Sequence, residues 1–189
     1  MMSFVHSAST YSTTVFMQGL RKQLQQPDLQ HNFYVSDALQ TVNFDNSPQS
    51  LLRLDQFFFA FKKHLGTLAP DFSKTLQKLN TVLFITSHIG FFICSELSYP
   101  EHWLSLEELN MFPVTPTTVL TDPQYYFGLD IGGQIVFPID YVLKHFFTTE
   151  TTSSISEDIH ALIHKLQNQQ QIDLQQNTLS DYSYYFKYC

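Results

Sequence analysis

Two histidines stand four residues apart, His160 and His164 in the run HALIH. On a helix they would share one face. Zinc sites use that spacing, but the hydrolytic form needs a glutamate directly after the first histidine. Ala161 is there instead, and the pair falls opposite an Ile/Leu stripe, on the solvent face. No metal site is expected. His88 is more informative, because it interrupts an apolar stretch, with Thr81 and Ser95 on its helical line. Two roles are open to it. It is a core histidine bonded to a carbonyl or hydroxyl, or it pairs with Asp55 or Glu96 as an acid–base couple. Asp55 enters the edge of an apolar helical face, between Leu51 and Phe59, with Lys62 on the same line. A carboxylate there needs a partner if it is buried; a flank Asp reaching solvent or a backbone amide is the ordinary alternative.

Nothing in the sequence supplies a nucleophile beside these groups, since no GxSxG, CxxC or catalytic cysteine signature occurs. Residues 128–133 (GLDIGG) lack the spacing of a phosphate loop and fit a hairpin turn. Aromatic side chains are the other binding candidates. Trp103 is the single tryptophan, and Tyr184 and Tyr185 belong to a ring-rich tail (DYSYYFKYC) that packs on its own domain or on a partner. The candidate binding residues are therefore Asp55, His88, Glu96, Trp103, Tyr184 and Tyr185. No catalytic residue, metal ligand or cofactor is assigned.

The elements that must position them centre on residues 79–97 (LNTVLFITSHIGFFICSEL). As a helix this stretch is apolar all round, which means a buried core or a membrane span. Its unbroken part, Val82 to Cys94, is thirteen residues and includes Thr86, Ser87 and His88. A span needs ~20 apolar residues, so a central helix over about 73–97 is expected. Thr86, Ser87, Gly90 and Cys94 form a seam of small residues along it, where a neighbour can approach closely.

Before it, Val15, Phe16, Leu20 and Leu24 suggest a short helix interrupted by Gly19. Residues 28–46 read as loop, with a short strand or helix near 33–42. Ser47-Pro48 starts a helix that runs to Leu65. Leu51, Leu54, Phe58, Phe61 and Leu65 form its stripe, widened by Leu52 and Phe59 on one flank and Phe57 on the other. A short connection predicts that this helix and the central one are antiparallel neighbours. Residues 100–112 fit either a helix, with Ser105 and Glu108 as a capping box, or a strand with Trp103, Ser105 and Glu107 on one face. Residues 113–123 hold three prolines and are extended. The clearest β signal is a hairpin over 125–137, turning at Gly132-Gly133. Helices over 139–147 and about 154–169 follow, then a Gln/Asn-rich connector. The fold class is α+β: helices around the central helix, with a small antiparallel sheet that includes the hairpin. The 189 residues form one domain, with 1–14 and 167–189 as loosely attached tails.

The chain is 15% aromatic and only 14% charged, with a net charge of −7. The absence of a basic stripe argues against nucleic acid, and an acidic surface suits a basic protein partner. Cys94 and Cys189 cannot build a disulfide framework, so two free thiols in a reducing compartment are expected. The first fourteen residues carry no base and no continuous apolar run, so no signal peptide is read there and a cytoplasmic location is expected.

The run from the central helix through Gly90, Trp103 and the hairpin to Phe137-Pro138 and a following helix resembles, in layout, small bacterial α+β domains of uncharacterised function. Some of these are immunity proteins that neutralise a neighbouring toxin. The resemblance covers residues 50–147 and carries over no functional residue. It implies a non-catalytic, acidic, protein-binding domain. The competing expectation is a small enzyme or ligand-binding domain with a pocket near Asp55, His88 and Glu96. A membrane protein rests on the apolar helix alone.

Overall fold

The computed structural model describes residues 10–65, 75–111, 127–147 and 153–177. The short connection after Leu65, the extended 113–123 stretch, Tyr125, Tyr126, Cys189 and the tail with Tyr184 and Tyr185 lie outside these ranges. The fold is α+β: seven α-helices and a small three-stranded antiparallel sheet among the described residues.

The central helix, α4, spans Leu76–Leu97 and is buried on nearly every side from Leu79 to Cys94. It ends at Ser98, whose left-handed backbone lets the Ser98 and Tyr99 amides bond the last carbonyls of the helix. By length and composition α4 could cross a membrane, yet 78% of its apolar window is buried inside the protein, as in a core helix. Its main neighbours are α1 (Thr10–Gln23) and α6 (Pro138–Phe147). The α3 helix (Pro48–Leu65) packs chiefly on α7 (Ile155–Asn177) and α6, and meets α4, which the short connection predicts as its neighbour, less extensively.

The small-residue seam explains how α1 and the sheet reach α4. Ser87 Oγ donates to the Met17 carbonyl of α1 at 2.6 Å. Gly90 faces the ring of Trp103, and a Cβ there would lie 2.2 Å from Trp103 Cζ2. Cys94 Sγ is 3.9 Å from the Pro100 carbonyl, and its thiol is free and buried. Thr86 Oγ1 is buried with no bond partner among the described residues.

Both readings of 100–112 are realised in succession. Trp103–Leu104 is strand β1, and Ser105 then caps the short helix α5 (Leu106–Leu109) in a full capping box with Glu108. β1 pairs with β2 (Gly128–Ile131), which pairs with β3 (Gln134–Val136), all antiparallel. The hairpin turns on Gly132 and Gly133, at φ +59° and +89°, the left-handed pair that a two-residue turn requires. Leu129 and Ile131 point into the core, as their alternation predicts.

Two other expectations change. Leu52 and Phe59 do not widen the buried stripe of α3; they are 53% and 70% exposed, while Phe57 on the opposite flank is buried. The helix α7 continues through the Gln/Asn-rich stretch to Asn177, and α1 begins at Thr10, inside the segment expected to be loose. Glutamine is a good helix former, so a polar run extends a helix once a packed first half has nucleated it.

Gly90→Ala and Gly19→Ala should move stability in opposite directions. At Gly19 a Cβ meets nothing within 4 Å, so alanine should gain up to ~1 kcal/mol of helix propensity. At Gly90 the Trp103 ring must be displaced, at a net cost of about 1–3 kcal/mol. Urea denaturation of both variants measures the difference.

Candidate functional site

Asp55, His88 and Glu96 have separate surroundings. Asp55 accepts from the backbone N–H of Ser156 at 3.2 Å and, closely, from the Ser156 hydroxyl. It therefore satisfies one free amide in the first turn of α7 and ties that helix to α3. Glu96 is exposed near the C-terminal end of α4. Trp103 is fully buried, so it is a core side chain and not a surface anchor. Tyr184 and Tyr185 lie outside the described residues. Of the described candidates, His88 lines a cleft.

His88 is 2% exposed and lies 3.4 Å, through Nε2, from Ser50 Oγ. The Ser50 hydroxyl donates to the Ser47 carbonyl at 2.7 Å. Its oxygen is left to accept, which assigns the proton of the neutral imidazole to Nε2 and a lone pair to Nδ1. Phe44 meets the ring edge-on at 4.4 Å. Burial is the main reason the imidazole is pushed down to about 3; Arg21 adds to it, Asp45 opposes it and Arg53 adds again. The histidine forms the inner wall of a cleft of about 650 Å³, with Phe44, Phe84 and Phe91 beside it and glutamine and asparagine side chains around the mouth.

One side of this cleft is an ion-pair network absent from the sequence-based candidates. Arg21 grips Glu101 with two parallel bonds, Nη1 to Oε1 at 2.6 Å and Nη2 to Oε2 at 2.5 Å. The same guanidinium donates to Ser87 Oγ and to the Ser87 carbonyl, and lies 4.5 Å from the centroid of the Phe91 ring. Glu101 also accepts from the indole N–H of Trp103 at 3.1 Å and from Gln18. A second arginine, Arg53, donates to the carbonyls of Val42 and Asn43 and pairs with Asp45 at 2.9 Å. Scarcity was the signal that could have found both: the chain has only these two arginines, against eight lysines. A fork of fixed donors is the group suited to bracing several acceptors at once.

A further polar cluster joins α6 to α7. Asp158 Oδ2 accepts from Lys144 Nζ at 2.7 Å and lies 3.1 Å from His145 Nε2. Burial lowers the His145 imidazole, partly offset by the bond to Asp158. His160 turns back to its own helix, Nδ1 to the Ser156 carbonyl at 2.7 Å, and His164 meets Asn168. Among the described residues no group of three or more His, Cys, Asp or Glu side chains is placed to hold a metal.

Charge is distributed unevenly. Between Lys78 and Lys144 the sequence has no lysine or arginine and seven carboxylates, which equals the whole net charge of −7; the rest of the chain carries ten of each sign. This base-free segment includes most of α4, the sheet and the first part of α6. Glu101 is neutralised by Arg21. Glu96 and Glu107 are exposed, and Asp130 is partly exposed beside His102. Met111, 77% exposed, follows α5. The sheet end of the molecule is therefore acidic, with an exposed apolar side chain nearby. Compared with protein-family models, curated proteins and solved structures, the chain matches none of them.

Two outcomes follow from these groups. His88 protonates near 6.5 when unfolded but only near 3 in the fold. Between those values the unfolded state binds the extra proton. Its contribution is complete above about 6.5 and is lost as pH falls toward 3, by about 1.4 kcal/mol per pH unit within the window. Urea midpoints taken from about pH 7 to about pH 5 should fall, and less steeply in His88→Gln; the lowered His145 keeps the slope from vanishing. Separately, Arg21→Met strands the Glu101 carboxylate, whose side chain is 5% exposed, and should cost about 2–4 kcal/mol in the same assay.

Proposed function

We propose that this chain is a non-catalytic, cytoplasmic protein-binding domain of the immunity type, whose partner is a basic protein that docks on the acidic sheet end. The observation that carries this reading is the segregation of charge: the base-free segment between Lys78 and Lys144 holds the entire net charge and contributes Glu96, Glu107 and Asp130 to one end of the fold. Surface charge of one sign steers and selects a partner of the other. Met111 supplies apolar area beside it, the mixture that interface cores and rims combine. The non-catalytic part is supported by how the candidate groups are used. Asp55 holds the start of α7. His88, pushed down to about 3, is a weak base and stays neutral near neutral pH, far from the poise of a general acid–base.

Capture on the immobilised chain from a native lysate should retain a basic protein in stoichiometric amount. Its affinity for the Glu96→Lys/Glu107→Lys variant should be lower by about tenfold or more, because like charges then face each other. No stoichiometric partner, or a partner that binds the charge-reversed chain equally well, refutes the reading.

A further inference from the structure

We infer that the cleft beside His88 is a binding site for a small, neutral, polyhydroxylated molecule, a mono- or disaccharide. It lies between α1, the turn of 3-10 helix at Pro27–Asn32, the loop before α3 and the central helix. This site is independent of the acidic sheet end.

Four observations converge on it. First, its volume of about 650 Å³ falls within the ~300–1,000 Å³ of small-molecule sites. Second, its rim is built of carboxamides. The side chains of Gln25, Gln30, Gln40 and Asn46 line the cleft and bond no other described residue. Each carries two donors and an acceptor, so together they match the mixed donor and acceptor character of hydroxyl groups. Third, His88 lies on the inner wall among Phe44, Phe84 and Phe91. Its Nδ1 lone pair has no protein donor among the described residues, because Nε2 is the nitrogen that faces Ser50. A ligand hydroxyl supplies the missing proton.

Fourth, the wall is already set. The loop between α2 (Ser36–Gln40) and α3 is held by Arg53, which donates to the carbonyls of Val42 and Asn43 and pairs with Asp45. Within this loop Asn43 and Asn46 have φ of +46° and +61°. Non-glycine residues held in the left-handed region persist where their surroundings over-determine them, often at ligand sites. A wall ordered in advance spares the ligand the entropy of ordering it.

Charge narrows the ligand class. Arg21 and Glu101 cancel, and His88 is neutral, so Lys22 is the one uncompensated charge among the described residues of the lining. A strongly charged ligand would find little to answer it. A flat heteroaromatic ring would need an open aromatic face, but Phe44 is committed edge-on to both Phe84, at 4.8 Å, and His88, at 4.4 Å.

The test is a titration of the full chain, followed by protein-observed NMR, with methyl glucoside, methyl galactoside, N-acetylglucosamine and maltose. Inorganic phosphate and adenosine are the charged and heteroaromatic comparisons. At least one sugar should saturate at millimolar concentration or below and shift resonances of Gln30, Asn46 and His88. Binding should weaken about tenfold in Gln25→Leu/Gln40→Leu, the worth of one or two hydrogen bonds. Both side chains are exposed and unbonded, so that variant keeps the fold, which circular dichroism confirms. His88→Gln should also bind more weakly. No saturable sugar binding, sugar binding unaffected by the glutamine substitutions, or tighter binding of phosphate or adenosine in the cleft overturns the inference.

Discussion

The fold depends on one close approach. Trp103 lies against α4 where Gly90 has no side chain, and no other residue type leaves room for the ring. That contact brings β1 onto the central helix, and β1 in turn carries β2 and β3. The polar end of the indole is held as firmly as its apolar body, because Nε1 donates to Glu101, which Arg21 of α1 clasps. The backbone N–H of Trp103 donates to Thr14, also on α1. One ring thus couples the first helix, the central helix and the sheet. A buried bidentate pair is weak evidence for net stability when taken alone. Here its role is positional: Ser87, Glu101 and the Phe91 ring are all held by one guanidinium.

Much of this framework was legible in the sequence, and for physical reasons. A helix apolar all round has nowhere to go but the centre, and the seam of small residues marked where its neighbours would arrive. The Gly pair of the hairpin is needed for positive φ, so the turn at Gly132-Gly133 could be read directly. Periodicity could not separate Leu52 and Phe59 from the core flank of α3. Both flanks of that stripe are apolar, and only the side on which α7 and α6 pack decides which is covered. The order β1 then α5 escaped because Trp103 is explained equally well by either period until the capping box starts a new element at Ser105.

The candidate site was less legible. His88 could be singled out, because a titratable group within an apolar helix has to be accounted for. Its partners could not, since Ser50 and Phe44 come from other segments and no spacing rule links them. Asp55 takes the ordinary alternative, a backbone amide, but that amide belongs to the start of a helix a hundred residues on. Helix ends offer amides without any sequence signature of who will take them. Trp103 invited a surface reading because tryptophan is common at interfaces, whereas its indole N–H is satisfied inside the protein. The two arginines carry no signature beyond their scarcity, because a count of charges does not locate them. Located, charge divides the chain: a balanced part, and a base-free segment that builds the sheet and also supplies Phe84, His88, Phe91 and Glu101 to the cleft.

That division has a kinetic consequence. With Glu96 and Glu107 exposed and Asp130 partly exposed toward the sheet end, the molecule carries a dipole as well as a net charge. In the field of a cationic surface it feels a torque, and it turns its sheet end forward while the two are still separated by solvent. Long-range orientation of this kind raises the fraction of collisions that arrive in a productive attitude. It acts over roughly a Debye length, about 8–10 Å at physiological ionic strength. Glu96, Glu107 and Asp130 scattered evenly over the fold would leave the net charge unchanged and weaken that torque.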